Sequence, residues 1–318
     1  LSTLFRFSCS SNDSSIEEHC ILHDDVMRTF FTYVPSNIGK EMTLVVGLHG
    51  YTGNAETFIR KGDANFNNFL EINNFIGAYP EGKSFKANGR NFSSWNDLTG
   101  SIGEGPKGDI CDIDRDYYPY PPDCKNPHRC SWASCGDDIG FIEKVIDHHK
   151  NKYDIQRVIV IGMSNGGMIA QAIGCNLTDK VDAIINIEGM QALGMSCIPK
   201  KPITMVIYGA KNDTTVPPED ILASDGYFYE PMQNTVNDWK KSKPNLHKKP
   251  SSKSEVVTQM IYGDSFSISK KTKKWLKIKI KEDGYKGYVL NKNYSPYIRA
   301  SHKAVSYTHL TLPTNREV

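Results

Sequence analysis

No stretch of the 318 residues reaches the roughly 18 to 20 uninterrupted apolar residues of a membrane-crossing helix, so a membrane enzyme is excluded. Cysteine is absent after Cys197, although all eight cysteines precede residue 198. Acidic residues are scarce at the same end. Residues 240–318 hold 5 Asp and Glu against 18 Lys and Arg, a local charge of +13, whereas residues 1–239 sum to −11. The total of +2 therefore averages two unlike parts. An initial Met is also lacking, which reads as a fragment or a processed end. What is present suffices for a folded interior: 39% hydrophobic and 10% aromatic residues exclude disorder along the whole length.

Cys111, Cys124, Cys130 and Cys135 crowd into a stretch rich in Asp, Pro and Tyr with neither helical nor strand period. Such a loop buries little, and covalent staples are a sensible way to order it. Zinc is the competing reading because His128 lies among them, but the spacings contain none of the short two-residue gaps of structural zinc sites. Disulfides are expected, with the pairing open among three possibilities, and with them an extracellular or periplasmic location.

Short β-branched runs at Thr29–Val34, Thr43–Leu48, Phe75–Tyr79, Val158–Ile161, Ala183–Ile187 and Thr204–Tyr208 alternate with amphipathic stretches. Several are apolar almost throughout, which marks strands buried on both faces of a parallel sheet. Asp137 and Asp138 can cap a helix in which Ile139, Ile142, Val145, Ile146 and His149 recur at helical spacing. The economical fold is a doubly wound α/β sheet, with chemistry at the carboxyl ends of its strands.

Gly162-Met163-Ser164-Asn165-Gly166 sits at one such end, after Val158–Ile161 and before a helical stretch. A nucleophile there must project from a sharp turn, and small residues at 162 and 166 let neighbouring backbone approach. The helix N-terminus behind Ser164 offers free N–H groups to a developing oxyanion. The backbone N–H groups of Tyr51, in the loop His49–Asn54, and of Asn165 are the candidate oxyanion donors. His49 reads as a structural histidine that pins this loop. With the chain order serine, acid, histidine, the acid is Asp213, just beyond Thr204–Tyr208; Asp220 and Asp225 follow no strand directly.

At these residues the sequence resembles the polyhydroxybutyrate depolymerase and feruloyl esterase group of secreted α/β-hydrolases. The likeness rests on residues 28–35, 48–55, 78–82, Ser94-Trp95-Asn96, 137–142, 162–168 and the Asp213 segment, and covers about residues 26–240 in order. It implies an extracellular serine esterase acting on polyester or on acylated plant polysaccharide, without cofactor or metal, and places Trp95 near the substrate. One departure stands out. The family's histidine follows one further strand, in a Gly-Gly-His-x-Trp-Pro-like stretch, and nothing like it follows Asp213. Downstream lie only His247, His302 and His309, of which His247 is a weak candidate. The sheet is therefore expected to lack its last strand and histidine loop, which leaves the activity of this chain open.

After Lys248–Lys253, a linker by composition, come segments of strand character at Val256–Tyr262, Ser265–Ser269, Trp275–Lys281 and Tyr285–Leu290, with Asp283-Gly284 as a hairpin turn. Leu276, Ile278 and Ile280 alternate with Lys277, Lys279 and Lys281, giving a half-buried strand with a cationic outer face. This part resembles the bacterial SH3-like domain of NlpC-type cell-wall endopeptidases, whose peptidase part is absent. The resemblance implies peptidoglycan as a partner through Trp275, Tyr285, Tyr288 and the lysines, rather than nucleic acid. The expected organisation is an N-terminal extension (1–25), an α/β-hydrolase domain (26–241), a linker (242–254), an SH3-like β-barrel (255–300) and a disordered tail (301–318) resembling adapter read-through. An assembly chimera is one expectation and a natural two-domain fusion the other. The functional expectation is a secreted serine esterase, and its rival is a peptidoglycan-binding module on an inert hydrolase-like domain.

Overall fold

The computed structural model describes residues 12–13, 16–60, 66–112, 114, 118–122, 124–125, 127–242, 245–260, 265–281 and 283–291. The chain divides into two compact units, Leu1–Ser242 and Lys243–Val318. The expected tail, 301–318, lies outside the described residues, as do His302 and His309. Among the described residues no helix is long and apolar enough to cross a membrane.

The first unit begins with β1 (Asn12–Asp13), β2 (Ile16–His23), β3 (Val26–Tyr33) and β4 (Met42–Leu48), then α1 (Ala55–Arg60), α2 (Phe66–Asn73) and β5 (Phe75–Pro80). Two small hairpins follow, β6 (Lys83–Ala87) with β7 (Arg90–Ser94) and β8 (Glu104–Gly105) with β9 (Gly108–Asp109). The unit is completed by α3 (Asp138–Lys152), β10 (Ile155–Met163), α4 (Asn165–Asn176), β11 (Ala183–Ile187), β12 (Thr204–Tyr208) and α5 (Met232–Lys241). Eight strands form one sheet in the order β1-β2-β3-β5-β4-β10-β11-β12. From β5 to β12 neighbours run parallel, while β1 to β3 form an antiparallel flank.

Why β4 is central is legible in its residues, Met-Thr-Leu-Val-Val-Gly-Leu, all of which are buried. Leu44, Val46 and Leu48 join Phe141, Ile142 and Val145 of α3, Ile169 and Ile173 of α4 and Trp239 of α5 in one core cluster. Val45 joins Ala55 and Ile59 of α1, Leu70 of α2 and Tyr79 in another. Alternate residues of one strand thus serve two helical layers, the reason its sequence shows no polar face. Asp137 caps α3, its side chain accepting the Gly140 N–H at 2.9 Å.

Two expectations need correction. Residues 16–23, placed in an N-terminal extension, form β2, paired with β3 from Ile16↔Tyr33 to His23↔Val26. Its Ile-Glu-Glu-His-Cys-Ile-Leu-His sequence is half polar because the strand lies toward the sheet's flank. The polar stretch 242–254, expected as linker, carries β13 (Asn245–His247), whose Leu246 is fully buried in the second unit's core. Beside Cys111–Cys130 and Cys124–Cys135, the four cysteines of the Asp-, Pro- and Tyr-rich stretch, Cys175 and Cys197 are also joined in a disulfide. No described cysteine is free.

The first sheet ends at β12, among the described residues. In register, Ile161, Ile185 and Val206 form one row and Met163, Ile187 and Tyr208 the next. Val206 and Tyr208 are 53% and 58% exposed, so this apolar face opens toward the sheet edge.

The second unit adds β14 (Val256–Gln259), β15 (Phe266–Lys271), β16 (Trp275–Ile280) and β17 (Lys286–Leu290) to β13, in the order β14-β13-β17-β16-β15. Every pairing is antiparallel. Leu246, Met260, Leu276, Ile278, Ile280 and Val289 make its core. Gly284, at φ +77°, occupies the turn between β16 and β17 that the left-handed region favours.

Candidate active site

Ser164 stands between β10 and α4 with φ 54° and ψ −124°. For a side chain with a Cβ this is a strained conformation, and it persists because the surroundings fix both sides of the turn. Its N–H donates to Ile187 O at 2.8 Å, and its C=O accepts the Met168 N–H at 3.0 Å. A Cβ on Gly162 would overlap Gly166 O, and one on Gly166 would overlap Leu48 O. The two glycines of the motif are therefore what permit β10, β4 and α4 to meet at this point. Asn186, the polar residue of β11, closes the back: its amide donates to Gly189 O at 2.8 Å and to Gln171 Oε1 at 3.1 Å.

Gly50 lies directly against the serine. A Cβ there would sit 3.4 Å from Ser164 Cβ and 4.0 Å from Oγ. The next N–H along, that of Tyr51, has no acceptor among the described residues. Asn165 opens α4, whose first N–H groups have no intrahelical partner. The structure thus brings Tyr51 and Asn165 to the two sides of the turn that carries Ser164. The Tyr51 ring is held in an aromatic cluster, with centroids 5.4 Å from both Tyr118 and Trp132, and its hydroxyl donates to Pro119 O at 3.1 Å. Cys111 and Cys130 belong to the same buried cluster. The stapled loop therefore supports the strand-end loop that carries a candidate oxyanion donor. Nothing in the spacing of Tyr118, Trp132 or Tyr227 announces this cluster, because it is assembled from distant segments.

Trp95, expected beside the substrate, is fully buried. Its N–H donates to Asn165 Oδ1 at 2.7 Å, its C=O accepts from Asn165 Nδ2 at 3.2 Å, and its indole N–H donates to His49 O at 2.8 Å. With no exposed surface to offer a ligand, it holds the loop that begins at His49 and α4 together from beneath. The Asn165 side chain, missed by sequence reasoning, is the other half of that clamp.

His49 adjoins the site but is fully committed. Nδ1 donates to Gly50 O at 2.8 Å, which leaves Nε2 to accept the Gly82 N–H at 2.9 Å. Burial pushes its pKa down to about 4. The ring is neutral and both nitrogens are occupied, so it offers no lone pair to Ser164. Asp213 follows β12, two strands from β10, a separation of about 10 Å at the strand ends. Its Oδ1 accepts the N–H groups of Thr215 and Val216 at 2.8 and 3.0 Å, and Oδ2 has no partner among the described residues. His247 lies in β13 of the second unit, edge-on to Trp275 at 5.6 Å, with Nδ1 3.1 Å from Ser254 O. Its ring is part of that unit's packing, and only 8% of the residue is exposed.

Two clusters have the composition of a cation site, His23 with Asp24 and Asp137, and Glu104 with Asp109 and His128. In the first, His23 Nε2 lies 2.7 Å from Asp137 O and so carries the hydrogen. In the second, His128 Nδ1 accepts the Cys130 N–H at 3.1 Å, which puts the hydrogen on Nε2, facing Asp109 at 3.3 Å. Neither ring presents a bare nitrogen to its carboxylates. A cavity of about 630 Å³ lies beside His128, Asn96 and Lys125, and neither Ser164 nor Asp213 lines it.

Residues 242–295 match the bacterial SH3 domain family. Among curated proteins, none matches this chain. Among solved structures, an acetyl xylan esterase from Aspergillus awamori is similar at 16% identity, over 86% of this chain and 91% of that one, with a TM-score of 0.45. A thermostable esterase is similar at 17% identity over 70% of this chain, with a TM-score of 0.42. The chain spans 51% of that esterase's length. A ferulic acid esterase is similar at 14% identity over 55% of this chain and 59% of its own, with a TM-score of 0.34.

Proposed function

We propose that the first unit is a carboxylic-ester hydrolase that works through an acyl-enzyme on Ser164. The observation that carries this reading is the strained Ser164 backbone at the junction of β10 and α4, with Gly50 packed against the side chain. Attack by Oγ on an ester carbonyl would put negative charge on the carbonyl oxygen, where the N–H groups of Tyr51 and Asn165 would receive it. Departure of the alcohol leaves the acyl group on Ser164, and water then releases the acid. Asp213, with Oδ2 unengaged, is the carboxylate that would orient an imidazole.

The proton acceptor is what the described residues of this unit do not provide, since His49 is committed on both nitrogens. Without a base Ser164 keeps an alcohol-like pKa, at a cost of about 10⁴-fold or more in turnover. The substrate class suggested by the motif resemblance is a polyester or an acylated polysaccharide. The disulfides Cys111–Cys130, Cys124–Cys135 and Cys175–Cys197 support an oxidising, extracellular or periplasmic location. Intact-mass analysis after exposure to an activated aryl acetate tests the reading. One acetyl group on Ser164, absent from Ser164→Ala, is expected; equal acetylation of both proteins would overturn it.

A second reading rests on the SH3 match at 242–295. Here the chain is a wall-binding protein and the hydrolase-like unit is inert. Co-sedimentation with purified peptidoglycan, together with no acetylation of Ser164, would favour this over the first.

A further inference from the structure

The outer face of β15, β16 and β17 places like charges directly opposite one another. Lys270 faces Lys277 across β15 and β16, and Lys279 faces Lys286 across β16 and β17. All four are exposed. Among the described residues none of them forms an ion pair, the pair found in this unit being Lys248 with Glu255. Directly opposed like charges destabilise a sheet. Two such pairs on one small face are a cost that the fold does not require, because Ser267, opposite Lys279 on the other side, shows that a neutral residue fits there. Strand geometry sets these lysines about 5 Å apart across the sheet and about 7 Å along it, a lattice of point charges suited to a repeating anion.

The aromatic residues of this face narrow the partner. Trp275 is 8% exposed, and Tyr288 is half-buried with the Lys277 ammonium 5.8 Å from its ring centre. Tyr285 is exposed in the turn before β17, outside the strand rows that carry the lysines. Among the described residues of β15, β16 and β17, this face offers charge without an open ring on which a base could stack. Lysine ammonium groups bind as point charges and impose no planar fork on the ligand.

We propose that this face binds a linear phosphodiester polymer that carries no bases. The binding surface comprises Lys270, Lys277, Lys279 and Lys286, and it acts independently of the ester chemistry assigned to Ser164.

The test uses the whole chain and two probes of equal length, an abasic phosphodiester oligomer and oligo(dT), with affinity followed against salt. The abasic probe should bind with a slope of log K on log salt near about −3, from four lysines at about −0.7 each. Exchange of Lys277, Lys279 and Lys286 for Ser should weaken binding about tenfold or more and reduce the slope by about 2. The same three positions changed to Arg should retain binding. Since the Ser exchanges remove opposed charges, thermal stability should hold or rise, which separates loss of binding from loss of fold. Unchanged affinity in the Ser variant would overturn the proposal, as would no binding of the abasic probe. Tighter binding of oligo(dT) would also overturn it and make the face a nucleic-acid surface.

Discussion

Ser164 and His49 show how much of a site is decided by single hydrogen bonds. The serine is presented by backbone strain that two glycines make possible, and a methyl group on Gly166 would meet the Leu48 carbonyl. Gly166→Ala should therefore cost about 1–3 kcal/mol or more, lowering the unfolding midpoint by several degrees in a thermal scan. The histidine is held neutral by the opposite device, two satisfied nitrogens and burial. His149 repeats that arrangement away from the site, with Nδ1 donating to Val145 O at 2.7 Å and Nε2 accepting from the Thr32 hydroxyl at 2.9 Å. Both pKa values are pushed down to about 4 by burial. Each histidine binds a proton more readily in the unfolded chain than in the folded one. Their contribution is thus fully present above about pH 6.5 and is lost as pH falls from there toward 4, about 3 kcal/mol for each. Asp97 and Glu81, held above their ordinary values by burial, act in the opposite sense. Urea midpoints measured from pH 7 to pH 4 should fall, and His149→Gln should flatten part of that fall. A midpoint independent of pH over this window would contradict the assignment.

Between elements, the most consequential contact joins β3 to α3. Arg28 donates to Asp138 Oδ1 at 2.7 Å and to Glu81 O at 3.0 Å, while Asp138 Oδ2 accepts the Asn96 N–H at 2.7 Å. Arg28→Met strands a buried carboxylate, and urea unfolding should show a loss of about 3–5 kcal/mol. Adding Asp138→Asn should recover part of it, because the amide still accepts from Asn96 and carries no charge. Such elements were unequally legible in the sequence. The apolar runs of β4, β11 and β12 and the caps and periodicity of α3 can be read directly, since burial on both faces or on one stripe leaves a pattern. The strand β2 is not readable in that way, because its flank position tolerates glutamate and histidine. Nor is β13, a strand of three residues whose signal is Leu246 among polar neighbours. At the site, the glycine motif and its strand announce Ser164, whereas the clamp of Trp95 with Asn165 and the aromatic support of Tyr51 arise from residues far apart in sequence.

For the whole molecule, the charge division read from composition runs close to the structural one. The acidic part carries the sheet with Ser164, and the basic part folds as a separate antiparallel unit beginning at Lys243. Among the described residues the first sheet stops at β12 with Val206 and Tyr208 exposed, and the first unit holds the proposed nucleophile Ser164, the candidate oxyanion donors Tyr51 and Asn165 and the carboxylate of Asp213, while His49 is committed on both nitrogens. That combination predicts a serine that reacts with strong electrophiles while turning over ordinary esters slowly. Labelling with a fluorophosphonate at neutral pH, followed by peptide mapping, tests it most directly. The account predicts an adduct on Ser164 that grows with time and is missing from Ser164→Ala. A folded protein that gains no adduct on Ser164 would contradict it.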